Sequence, residues 1–211
     1  MRKLLLIAAL IMITMSCAGK TIRTEYSARY FFSFSKVERP EKAIQRYGPK
    51  KIGKDEWGGF TFEDKLVEIR WVVTARGIHL SLKNKTNHSI KIPWDQAVYV
   101  GKNGVSYRVL HDTDEAGPQP PSVVVRKSSL NHTIGGWILF PDYESILSGK
   151  RHDDWNRMYK SFSEFERAVH TNVGKSVQVL LPLQVEEAVY DYIFTFHVDS
   201  ASAKEEVDPD F

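Results

Sequence analysis

From Trp57 onward the chain keeps returning to one pattern, apolar and polar residues in alternation, and a period of two suits only a strand with one buried and one wet face. Val67, Ile69, Trp71 and Val73 alternate with Glu68 and Arg70, and after a break at Ala75-Arg76-Gly77, Ile78, Leu80 and Leu82 alternate with His79, Ser81 and Lys83. Asn84-Lys85-Thr86-Asn87 supplies a turn before Ile90 and Ile92. Gly101-Lys102-Asn103-Gly104 lies between Val98/Val100 and Val105/Tyr107/Val109, and Asn-Gly flanked by such residues is a strong hairpin signal. The chain then adds short strands at Val123–Val125, Gly136–Phe140 and Ser176–Leu183. It turns at Glu186-Glu187 and closes on Tyr190, Tyr192, Phe194, Phe196 and Val198. Short strands at this spacing predict a β-sandwich or barrel.

One segment breaks the rule. Trp155, Met158, Tyr159, Phe162, Phe165 and Val169 fall at helical spacing behind Asp153 and Asp154, which can cap a first turn. An amphipathic helix near residues 153–172 is expected, inside an insertion running from 117 to 172. Ahead of the β-rich body, residues 17–56 read as a tether with a short strand at Tyr30, Phe32 and Phe34. Its basic stretch, Lys36 to Lys54, holds seven cations against Glu38 and Glu41. The body spans 57–199, and residues 200–211 read as an acidic tail.

The amino terminus carries the clearest address. Arg2 and Lys3 precede an apolar run from Leu4 to Met15, too short at about 18 Å of helix to span a hydrocarbon core of about 30 Å. A positive start, a short apolar stretch and small residues describe a signal peptide over residues 1–16. Its end, Thr14-Met15-Ser16-Cys17-Ala18-Gly19, resembles the lipobox of bacterial lipoproteins, in which the cysteine is acylated before the signal is cut. Cys17 is the only cysteine among 211 residues, which excludes an intramolecular disulfide and any multi-thiolate metal site. The resemblance implies palmitate-type lipidation at Cys17 and attachment to the bacterial cell envelope. Ala18 in place of the aspartate that marks inner-membrane retention favours the outer membrane.

Phe62-Glu63-Asp64, Leu82-Lys83-Asn84-Lys85-Thr86, Ile90-Lys91-Ile92-Pro93-Trp94-Asp95 and Tyr192-Ile193-Phe194-Thr195-Phe196 are phrases of a layered β-domain. Through them the stretch from Phe60 to Val198 resembles the immunoglobulin-like domains of uncharacterised bacterial envelope lipoproteins. That resemblance implies an immunoglobulin-like β-sandwich and a location, and no activity.

Chemistry is sparse by comparison. A net charge of +3 does not demand a nucleic-acid face, and none is expected. No nucleophile elbow, phosphate loop or His-Glu-x-x-His occurs. His111, Asp112 and Asp114, with His152 before the helix, are the candidate ligands of a hard cation or zinc. An envelope enzyme or metal-dependent hydrolase built from residues 111–155, with His132, is the alternative reading. Trp137, Tyr143 and Trp155 are the candidate aromatic binding residues. The expectation is a lipid-anchored binding or assembly protein of the envelope, with a membrane and a protein partner and no cofactor.

Overall fold

The computed structural model describes residues 23–40, 43–74, 77–109, 119–136 and 159–208. Among them the chain forms, in order, β1 (Arg23–Glu38), α1 (Ala43–Tyr47), β2 (Lys51–Lys54), β3 (Phe60–Glu63), β4 (Val67–Val73), β5 (Gly77–Asn84) and β6 (Ile90–Ile92). After a 3-10 turn at Trp94–Gln96 come β7 (Val98–Val100), β8 (Ser106–Arg108), β9 (Ser122–Val124), β10 (Ser129–Gly136), α2 (Phe162–His170), β11 (Ser176–Val185) and β12 (Ala188–Asp208). The strands make two antiparallel sheets. One has the order β10-β5-β4-β3-β2; the other has the order β1-β12-β11-β6-β9, with β7 on β11 and β8 on β7.

The alternation of the sequence decides what each face meets. Val67, Ile69, Trp71, Ile78, Leu80 and Leu82 are fully or almost fully buried, as are Val177, Val179, Leu181 and Leu183 of the opposite sheet. The two sheets pack face to face, sandwich-like, through aromatic rings. Trp71 lies 4.9 Å from Phe194 and 5.8 Å from Phe196, and Phe62 meets Tyr192 and Phe194 edge-on at 5.7 and 5.5 Å. Truncating one such buried ring to alanine costs about 3–5 kcal/mol.

The expected tether and tail differ from this arrangement. Among the described residues, 23–38 form the longest strand pair, with residues 193–208 of β12, so neither segment is an appendage where it is described. The ladder hydrogen bonds come from the partner strand, which is why Lys204, Glu205 and Glu206 can stay in strand with their charges exposed. Two bulges keep the faces correct: Asp199 is the extra residue on β12 and Ser35 the extra residue on β1. Each shifts its strand's inward set by one. Tyr30 and Phe32 point inward before the β1 bulge and Val37 after it; Phe196 and Val198 point inward before the β12 bulge, and Ala201 and Ala203 pack on the core beyond it.

Beyond the end of β11 this two-stranded ribbon continues alone, and α2 covers its inner face. Tyr26 stacks on Phe165 at 5.3 Å and meets Phe162 at 5.7 Å. The helix is shorter and later than the spacing from Trp155 predicts. Tyr159 and Lys160 are not helical, and the cap is Ser161, whose hydroxyl accepts from the Glu164 amide while Glu164 accepts from the Lys160 amide. This reciprocal Ser-x-x-Glu arrangement fixes the start. Asp153 and Asp154 lie outside the described residues.

Prolines interrupt the other side of the same sheet. β6 and β7 run end to end along one edge of β11, Lys91 pairing with Gln184 and Val100 with Gln178, and three extra residues intervene as the 3-10 turn. Continuing the β6 register by two residues sets Pro93 against Pro182. The two-residue loop at Glu186-Glu187 makes Val185/Ala188 a hydrogen-bonded pair, so alternation turns the Pro182 nitrogen away from β12 and toward β6. Neither proline has an N–H to give, and the ladder stops there.

A buried carboxylate ties the crossover from β1 to both sheets. Asp64 has no exposed side-chain surface; it accepts from Arg39 Nη1 at 3.2 Å, from the Tyr192 hydroxyl at 3.0 Å and from the amides of Leu66 and Val67 at 2.8 and 3.1 Å. Arg39 also donates to the Gly48 carbonyl at 3.1 Å. Arg39→Ala leaves the carboxylate buried without its cation and is expected to cost about 3–5 kcal/mol in urea unfolding, against about 1–2 kcal/mol for Tyr192→Phe. Burial, and for Tyr192 the Asp64 charge, pushes both Tyr30 and Tyr192 above the usual tyrosine range, Tyr30 to about 12. The unfolded chain releases these protons near pH 10 and the native one later, so stability falls as pH climbs from 10 through about 12. Urea midpoints across that window check the slope, which Tyr192→Phe should flatten.

Candidate functional site

The outer face of the β10-β5-β4-β3-β2 sheet carries the polar half of the alternation, arranged by register into rows. Thr61, Arg70, Ser81 and Asn131 stand in one row across β3, β4, β5 and β10; Val72, His79 and Thr133 stand in the next. Together the last two rows line an open trough of about 380 Å³ whose floor reaches Leu80 and His132. His79 Nδ1 lies 3.0 Å from the Thr133 hydroxyl. Lys83 donates to Glu68 at 3.2 Å one row further on, with both side chains half exposed.

Arg70 is the best-positioned cation of this face. Its Nε donates to the Asp55 carboxylate, whose other oxygen accepts the Trp57 amide at 2.9 Å and the Gly59 amide at 2.7 Å. The Asp55 amide in turn donates to the Gly59 carbonyl at 2.8 Å, so the 55–59 loop is closed on itself and on Arg70. The Arg70 hydrogen bond holds the Asp55 carboxyl below the usual carboxylate range, helped by the Gly59 amide. The clasp's contribution is therefore present above the ordinary carboxylate value and lost as pH falls through the lowered one. Gly59 is required by this packing: a Cβ there would lie 2.8 Å from three guanidinium atoms of Arg70. On the loop so fixed, Trp57 is 81% exposed.

Several expected site residues lie elsewhere. Cys17, His111, Asp112, Asp114, Trp137, Tyr143, His152 and Trp155 are outside the described residues. His132 is described, and its ring stacks at 4.7 Å on the buried Trp94, on the core side of β10. Among the described residues no group of three or more His, Cys, Asp or Glu side chains could hold a metal ion. Likewise, no helix among them is long and apolar enough to cross a membrane.

The residues of the trough were written in the sequence as the wet positions of β4 and β5. Alternation says only that such positions face out; which of them converge depends on the register of β10, which the sequence does not print. Trp57 had a local signal, an apolar ring inside Asp55-Glu56-Trp57-Gly58-Gly59, where turn residues leave it no core to enter.

Gly59→Ala should leave the fold intact, because the atoms it displaces are the far end of a flexible side chain, and should break the clasp. The expected result is an Asp55 carboxyl that titrates closer to the ordinary range by NMR and faster exchange of the Trp57 amide, with β4 amides unchanged. No family model matches this chain, and no curated protein or solved structure matches it.

Proposed function

We propose that the chain is a lipid-anchored binding protein of the bacterial envelope, built on an immunoglobulin-like β-sandwich and presenting the Arg70–Trp57 face to its partner. The observation that carries the reading is Thr14-Met15-Ser16-Cys17, with the sole cysteine at the border of a short apolar run behind Arg2 and Lys3. Two or more acyl chains at Cys17 hold stably, where a single chain binds only reversibly. Ala18 favours the outer membrane. The likeness to immunoglobulin domains is one of layers, since β2 to β5 run as a meander within one sheet.

The fold supports this reading with a geometry. Cys17 lies six residues before Arg23, a reach of at most about 20 Å. An anchored chain thus keeps the Arg23/Asp208 end of the ribbon close to the bilayer. The basic stretch begins near the opposite end of β1, about 40 Å along the strand. In an upright molecule those lysines stand away from the lipid.

The test is Cys17→Ser in the full chain, expressed with labelled palmitate. The parent should fractionate with membranes and carry label, and the variant should do neither. A variant that stays in the membrane fraction with undiminished label would overturn the proposal.

A further inference from the structure

We infer that the trough on the outer face of the β10-β5-β4-β3-β2 sheet binds a carboxylate-bearing glycan laid across β4, β5 and β10. The inference rests on the binding reading above and names its ligand class. Three observations carry it. First, the two rows present donors and acceptors of every neutral type, the Ser81 and Thr133 hydroxyls, the Asn131 amide and the His79 ring, and no carboxylate lines the trough. Second, one cation stands among them in a fixed pose. Asp55 holds Arg70 through Nε, which leaves the Nη1/Nη2 edge to meet a planar carboxylate end-on.

Third, the span and floor suit sugar rings. From β4 to β10 is two interstrand steps, about 10 Å, the length of a disaccharide. Continuing the register of β3 with β4 by one residue sets Gly59 opposite Val72, so this row is low and apolar at its β3 end, two residues along the chain from the exposed Trp57. Pyranose rings present C–H faces to such a surface and hydroxyls to its rim, and an exposed indole is a flat partner for them. An acidic sugar uses each of the groups present.

The experiment is calorimetric titration of the full chain in detergent micelles with three disaccharides: N-acetylglucosaminyl-N-acetylmuramic acid, digalacturonic acid, and neutral N,N'-diacetylchitobiose, called chitobiose below. The expected result is saturable binding of at least one acidic disaccharide, ten-fold or more tighter than chitobiose. Arg70→Gln should weaken it at least ten-fold and abolish the preference for acid. Trp57→Ala, a change at an exposed position that leaves the melting temperature unaltered, should weaken acidic and neutral sugars alike. No binding of either acid, equal binding of chitobiose, or binding indifferent to both substitutions would overturn the inference. If no acidic sugar binds while membrane fractionation still requires Cys17, the glycan assignment alone fails. If the acidic sugar binds while fractionation ignores Cys17, the anchor alone fails.

Discussion

Asp64 is the point on which the architecture turns. A carboxylate with no water around it is tolerable only when every lone pair is used, and here four donors come from three directions: the crossover after β1, the β3–β4 turn, and through Tyr192 the opposite sheet. The same turn is pinned from outside, where Lys85 donates to the Asp64 carbonyl at 2.7 Å and to Glu63 at 2.6 Å. Apolar packing alone would let two sheets slide on one another with little change in buried area. A fully satisfied buried charge removes that freedom, because any slip strands it. The aromatic rings between the layers then have one register in which to interdigitate.

How much of this could be read from residues depended on whether the information was local. The buried sets of β4, β5, β11 and β12 follow from alternation alone, since period two and burial are the same statement on a half-wet sheet. The ribbon was only partly legible. Tyr30, Phe32 and Phe34 announce a strand, but the length of β1 is set by a partner some 170 residues away in sequence, and the bulges at Ser35 and Asp199 change the parity that a reader follows. Glutamates near the end of the chain look like a solvated tail until their backbone is seen to be paired. For α2, hydrophobic spacing extended the helix too far back, and the Ser161/Glu164 pair was the better guide to its start. The trough was least legible of all. Its chemistry lies in ordinary outward-facing residues, and only the alignment of β10 beside β5 turns Asn131 and Thr133 into neighbours of Ser81 and His79.

Function and fold meet at the clasp between Asp55 and Arg70. A salt bridge at a half-exposed position adds little stability. Its effect is on order: it converts a glycine-rich hairpin into a fixed mount and holds a guanidinium in one place. Both effects lower the conformational entropy lost when a ligand settles. The Gly59 position, which has room for a hydrogen and none for a methyl, shows how closely the loop is fitted to the arginine.

The meeting of Pro93 with Pro182 has a consequence for how the molecule behaves among its own copies. By splitting one strand into β6 and β7, it also splits the strands beyond, so that among the described residues this flank of the sheet ends in β9 and β8, three residues each. Edges so short and so offset offer almost no template for a foreign strand. The opposite flank is β1, sixteen residues long, kinked at Ser35 and carrying Arg29 and Lys36. Growth of this sheet by strand addition is thereby confined to one side, and that side is the one whose chain leads directly to Cys17.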